Sequence, residues 1–274
     1  MPNNTSNLIE EPSLSLAWGK AFLAAMESSQ TNPAPLVVSV TEFENGLPPE
    51  DSRIRAALDQ LLAAHKKNSC SVSAMIIFPY QQWLKKGCPG CADFSRWCVE
   101  RFVPRLKARD GLNKKGLYFE RMMNFRGGAA DDTPGKNQLL HLVEWWNRQQ
   151  REDKARPSRS RMQVACFDPF LDHNRECHPY FPCLQQVAFS YDSNDGLTVS
   201  AFYPTQYLFD RAYGNYLGLC HLGAFMANQM GLSLVRFNCF VGRATLGGIT
   251  KQALERLKEL VEQVVTETEG DNEA

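Results

Sequence analysis

Apolar and polar residues alternate along two short runs past the middle of the chain, Leu184–Tyr191 and Leu197–Tyr203. A period of two is the pattern of a strand with one face buried. The residues between them, Asp192-Ser193-Asn194-Asp195-Gly196, are turn formers: Asp and Asn tolerate left-handed backbone and Gly supplies positive φ. The pair reads as a β-hairpin. From Tyr213 to Met230 the spacing becomes helical, and Gly231 stands where a left-handed C-terminal residue belongs. A further strand is expected over Ser233–Val241. Upstream, the pattern predicts a helix over Leu14–Met26, a strand over Leu36–Val40 and an amphipathic helix over Ile54–His65. Ser71–Phe78 is a short apolar run ended by Pro79 and reads as another strand. Helices are predicted over Asp93–Val103, with Pro104 ending or kinking it, and over Asn137–Gln150. Adjacent tryptophans on that last helix, Trp145 and Trp146, point in different directions, which suits core packing better than a stacking platform. Residues 127–135 form a Gly-rich surface loop, and Thr250–Thr266 an amphipathic helix. Together these elements make an α+β fold, a mixed sheet carrying the hairpin and covered by helices that include 137–150 and 213–230.

Composition narrows this picture. The 274 residues, 43% of them hydrophobic, suffice for one large domain, read here as 36–266. Residues 1–35 are rich in Asn, Ser, Pro and Glu and read as a partly flexible N-terminal extension; 267–274 reads as an acidic tail. Lys and Arg total 30, as do Asp and Glu, so a surface that coats nucleic acid is not expected despite the arginines of 148–161. No apolar run reaches membrane-spanning length and the start MPNNTSNLIEEPS has no signal-peptide pattern, so no membrane association is expected. Nine scattered cysteines suit a reduced, cytoplasmic compartment. Cys88-Pro-Gly-Cys91 has the spacing of a zinc or redox pair, but no second pair follows it, so the expectation is a reduced turn and no metal.

Cys183 carries the chemistry, if there is chemistry. It sits directly after Pro182 at the mouth of the hairpin, and the surrounding order of motifs resembles the thymidylate synthases and related pyrimidine-nucleotide hydroxymethylases. In that family a Pro-Cys pair opens the strand holding the nucleophile, and an Asn begins the long helix that follows, here Asn215. Gly231-Leu232 matches the end of that helix and Gly242-Arg243-Ala244 the later Gly-x-Ala. Tyr118-Phe119-Glu120-Arg121 with Asn124-Phe125, Asn137-Gln138-Leu139, Ser160-Arg161 and Phe167-Asp168-Pro169 are similar to upstream family segments. The likeness runs from Leu117 to Leu260.

The resemblance implies a sheet-on-sheet homodimer and a pyrimidine nucleotide-like ligand. Attack of the Cys183 thiolate at ring C6 would make C5 nucleophilic toward a one-carbon unit, with a tetrahydrofolate as its donor. Asn215 would read the ring edge, and Arg161 would reach the phosphate held by a partner subunit. Gln186, close to Cys183 in sequence, is a further binding candidate. Several family side chains differ. The His after the cysteine is Leu184, and the Arg-Ser phosphate pair becomes Pro204-Thr205-Gln206. The folate-side Asp falls at Tyr207 or Leu208, and the ribose-holding His and Tyr become Thr245 and Gly247. Arg243 and Arg211 are new and could rebuild an anion site from another direction. Glu100 and Glu120 are candidates for the proton-relaying glutamate, and no counterpart is expected of the family's C-terminal segment that closes over folate. The expected function is a divergent transferase that adds a one-carbon unit at C5; the alternative is a non-catalytic homologue that binds a nucleotide-like ligand or a protein.

Overall fold

Long apolar strands set the centre of the molecule. In the computed structural model, which describes residues 7–28, 35–109, 117–127, 135–173 and 183–273, β5 (Gly196–Tyr203) and β7 (Ser233–Val241) run parallel at the middle of a six-stranded mixed sheet. β2 (Leu36–Val40) lies antiparallel to β7, and β1 (Leu8–Glu11) parallel to β2. On the other flank β4 (Gln186–Tyr191) and then β3 (Gln163–Ala165) continue antiparallel, giving the order β1-β2-β7-β5-β4-β3. Two short strands, β6 (Gln206–Tyr207) and β8 (Ala244–Thr245), pair separately. The α+β class with a mixed sheet is therefore as the pattern predicts.

The β4–β5 hairpin shows why its turn sequence matters. The Asp192 carboxylate accepts the backbone N–H groups of Asn194 at 2.7 Å and Gly196 at 2.8 Å, and Asp195 takes φ +61°. An Asp side chain thus closes the turn that its neighbour's left-handed backbone completes.

Alternation gives the sheet two unlike faces. Val38, Cys239, Ala201, Val187 and Val164 form one register row across five strands, all buried against helices. The next row on the opposite face is Val37, Phe240, Phe202 and Gln186, with Phe240 51% and Phe202 45% exposed. Beside it the Ser39 hydroxyl donates to Asn238 at 2.8 Å, and Asn238 donates to Ser200 at 3.3 Å.

Helix α10 (Tyr213–Met230) lies under the buried face and is enclosed on nearly every side, as an apolar helix without a polar face must be. It ends at Gly231, in the left-handed conformation with φ 69°. Glycines allow its closest crossing. A Cβ on Gly214 would lie 2.7 Å from the Cys70 carbonyl oxygen, and one on Gly218 would lie 2.7 Å from that of Ala74. Those carbonyls belong to α3 (Cys70–Ile77), so the run read as a strand over Ser71–Phe78 is a helix. A short apolar run has no periodicity to separate the two states; here Ser69 caps it by accepting from Val72 N–H, and burial against α10 decides.

Residues read as an N-terminal extension join the core over their described part. β1 completes the sheet edge, and α1 (Leu14–Glu27) buries Trp18 and Phe22 completely, with the Trp18 indole donating to the Leu208 carbonyl at 2.8 Å. The acidic tail is not separate either: α11 (Lys251–Glu273) runs through it. Arg53, at the start of α2 (Ser52–Ala64), pairs with Glu267, and Lys20 of α1 pairs with Glu269, so basic side chains on two helices hold the acidic turns. Pro104 does not end its helix. A π-helical turn over Cys98–Phe102 joins α5 (Cys91–Trp97) to α6 (Val103–Arg109), and this wider turn admits a residue that cannot donate. Trp146, on α8 (Gln138–Arg151), is a core residue at 1% exposure. Of the expected loop 127–135, residues 128–134 lie outside the described residues, as does Pro182. No helix among the described residues is long and apolar enough to cross a membrane.

Candidate active site

Strand directions gather the candidate chemistry at one edge. β5 and β7 are parallel and finish there, at Tyr203 and Val241, while antiparallel β4 begins there at Gln186 and β3 finishes there at Ala165. The edge therefore collects Cys166 after β3, Cys183 before β4, Gln206 after β5 and Arg243 after β7. The carboxyl ends of parallel strands are where ligands of open sheets commonly bind, because loops diverge from them.

Cys183 is exposed, yet protein packed on its inner side raises its thiol above the usual range, opposed by the positive charge of Arg211. Its backbone N–H donates at 3.1 Å to the hydroxyl of Tyr118, the first residue of α7 (Tyr118–Met123). The Tyr118 phenol is itself held neutral by burial, with the Cys183 thiol among its neighbours.

A hydroxyl and amide cluster lies beneath. The Tyr203 hydroxyl is fully buried with no hydrogen-bond partner among the described residues, and Tyr118, Cys166, Cys239 and Tyr216 surround it. The Tyr216 hydroxyl donates to the Gln206 side-chain carbonyl at 2.8 Å, leaving the Gln206 amide nitrogen buried and without a partner among the described residues. Gln206 is tied to β8 through its own N–H, which donates to the Arg243 carbonyl at 2.9 Å. Asp210, in the π-helical turn Leu208–Ala212 that leads into α10, pairs with Lys67 at 2.7 Å through one oxygen, while the other is buried without a partner among the described residues. Buried polar atoms left unpaired cost free energy, so such a cluster suits donation to something that enters.

The candidates from sequence divide accordingly. Cys183 and Arg211 come together, Arg243 lies at the same edge, and Asn215 occupies the first turn of the helix that starts there, 7% exposed. Gln186 does not line this edge from within. It follows the outer alternation of β4 and bonds Gln163 on the open sheet face. Arg161 also points elsewhere, its guanidinium 4.9 Å above the Trp145 ring on α8. Glu120 pairs with Lys107 and accepts the N–H of Leu117 at the start of its own helix. Glu100 lies in the π-helical turn of the α5–α6 segment. Asp168 caps the short helix α9 (Pro169–Asp172), and Asp172 holds the buried Arg121 at 2.6 Å, so the Phe167-Asp168-Pro169 segment is structural.

Sequence reasoning missed Tyr203, Gln206, Tyr216 and Asp210. Their only signal was position, polar groups at the end of β5 and in the turn and helix that follow it, and that becomes visible once the strand order is known. Cys88 is exposed and Cys91 buried; burial pushes the Cys91 thiol up to about 12. No group of side chains among the described residues could hold a metal ion.

No family model matches the chain, and no curated protein matches it.

Proposed function

We propose that the protein is a divergent, thymidylate-synthase-like transferase that adds a one-carbon unit at C5 of a pyrimidine nucleotide or related ring. The observation that carries this reading is Cys183 at the sheet edge, with Arg211 as the neighbouring positive charge and the Tyr118 hydroxyl on its backbone N–H. The sulfur bonds ring C6 and the C5=C6 electron pair moves onto the C4 oxygen. C5 bonds the one-carbon unit and loses its proton, the carbon's bond to its donor nitrogen breaks with the electron pair left on that nitrogen, and water adds to the exocyclic methylene so formed. Elimination of the sulfur then restores the double bond and the thiolate. The raised thiol makes proton removal part of the task, and Arg211 stabilises the thiolate that results. The unpartnered Tyr203 hydroxyl and Gln206 amide supply donors of the kind that negative charge on a ring oxygen needs, and Asn215 suits the ring's N–H and carbonyl edge. A tetrahydrofolate fits one feature, the unpartnered buried oxygen of Asp210, which suits the N–H groups of a pterin; exposed Tyr207 beside it would give its ring a flat contact. When bound, that group supplies the one-carbon unit.

A second copy of the chain is the proposed partner. The open sheet face, with Phe202 and Phe240 exposed at its centre, supports back-to-back pairing of two sheets. The eroded phosphate ligands, with Pro204-Thr205-Gln206 in place of the Arg-Ser pair, favour the second reading of a non-catalytic binding homologue.

Intact-mass measurement after incubation with 5-fluoropyrimidine nucleosides and nucleotides, with and without methylenetetrahydrofolate, separates the two. A covalent adduct in the wild type that disappears in Cys183→Ala is the expected result. Thermal stabilisation by a pyrimidine with no adduct supports the binding module, and silence across the panel rejects the thymidylate-synthase-like activity.

A further inference from the structure

On the other side of α10 from the sheet, away from Cys183, lies a cavity of about 500 Å³. Its wall includes the apolar Val72, Phe78 and Leu217, and its polar side chains are Glu50, Arg55, Ser71, Tyr80, Gln81, Gln82 and His221. Size and composition are those of a small-molecule site, which is mostly apolar with a few placed polar groups.

The polar groups specify what would fit. Arg55 is fully engaged by the protein: it donates to Glu50 at 2.6 Å, to Asp59 at 3.0 Å and to Ser71 at 2.8 Å, with its guanidinium 5.5 Å from the Tyr213 ring centre. One cation thus serves two carboxylates, and the neighbourhood stays net negative. Glu50 accepts from Arg55 and from the Tyr213 hydroxyl through the same oxygen, Oε2. Its other oxygen, Oε1, makes no hydrogen bond to a described residue. His221 is 9% exposed and stacks on Tyr80, ring centres 4.7 Å apart and planes within 12°. Its imidazole, too, has no hydrogen-bond partner among the described residues, and it lines the cavity. Burial and the nearby Arg55 charge keep the ring neutral, its pKa lowered to about 4, so one ring nitrogen remains an acceptor.

The cavity therefore offers two acceptors, a net negative field and apolar walls. We propose that it is a second binding site, separate from the Cys183 edge, for a small molecule with a flat apolar ring bearing N–H donors, of the aromatic amidine or amino-heteroaromatic class. Anionic ligands are disfavoured, because Arg55, the one guanidinium among the described wall residues, is already shared by two carboxylates.

Benzamidine is the probe, and the His221 ring signal in NMR of the whole chain is the readout, assigned by its loss in His221→Phe. Benzamidine is expected to move this signal with a Kd on the order of millimolar, as a fragment of this size allows. Benzoate, of the same shape and opposite charge, should bind at least about tenfold more weakly. Glu50→Gln should weaken benzamidine about tenfold by removing the negative charge, and Val72→Trp, at a 38% exposed position on the wall, should abolish it. Cys183→Ala should leave it unchanged, so this site stands or falls apart from the proposed chemistry. Benzoate binding as well as benzamidine, benzamidine binding unaltered by Val72→Trp, or a stationary His221 signal at several times that concentration would each overturn the assignment.

Discussion

Protonation of His221 ought to destabilise the fold between pH 7 and 5, by an amount the structure sets. The ring is buried on α10 against Tyr80, facing Arg55 and Glu50 across the cavity. Its pKa falls from an ordinary 6.5 to about 4, chiefly because burial disfavours the charged ring and secondarily because Arg55 repels it. A histidine with a depressed folded-state pKa favours folding above its unfolded pKa, and this is lost as pH falls from 6.5 toward 4, since the unfolded chain binds the proton first. With those two values the loss from pH 7 to pH 5 is about 2 kcal/mol, rising to about 3 kcal/mol near pH 4. Urea denaturation of the wild type and of His221→Phe, which keeps a ring on Tyr80, isolates this contribution. Groups common to both proteins cancel to first order. The expected result is a gap between the two stability curves that widens by about 2 kcal/mol from pH 7 to 5. Parallel curves over that range would show that His221 reaches water as easily folded as unfolded, and the account of the cavity wall would fail with it.

Packing between α3 and α10 gives a second prediction. Gly218→Ala places a Cβ 2.7 Å from the Ala74 carbonyl oxygen, a backbone atom that cannot swing aside, so a loss of about 1–3 kcal/mol is expected in urea denaturation. A neutral result would mean that the two helices can part at no cost. For the proposed homodimer, sedimentation should show a dimer that Phe240→Lys converts to monomer, because a charge would replace an exposed aromatic ring at the centre of the paired face. A wild type that sediments as a monomer at micromolar concentration would remove the second copy from the reading.

What the chain alone determines is local. The hairpin turn follows from Asp192 and from the left-handed backbone, which Asp195 supplies where Gly196 was expected to, the end of α10 from Gly231, and the strand β7 from its own alternation. Each depends on residues a few positions apart, and their chemistry holds whatever surrounds them. Tertiary contact decides the remainder. Whether Cys70–Ile77 is a strand or a helix rests on Gly214 and Gly218, more than a hundred residues away, which let α10 approach it. The acidic end of the chain continues α11 and pairs with Lys20 and Arg53, which only the packing of α1 and α2 brings to it.

The site divides along the same line. Cys183 stood out from its neighbours in sequence, and Arg211 becomes relevant to it only because the turn into α10 arrives beside the start of β4. Gln186, three residues from Cys183, turns to the opposite face because side chains alternate along a strand. Tyr203, Gln206 and Tyr216 become one cluster with Tyr118, some eighty or more residues earlier, because β5 ends where α7 begins. A local pattern fixes backbone conformation within a turn or a period. Which side chains face one another depends on strand order and helix crossing, and those are settled by burial of the whole core.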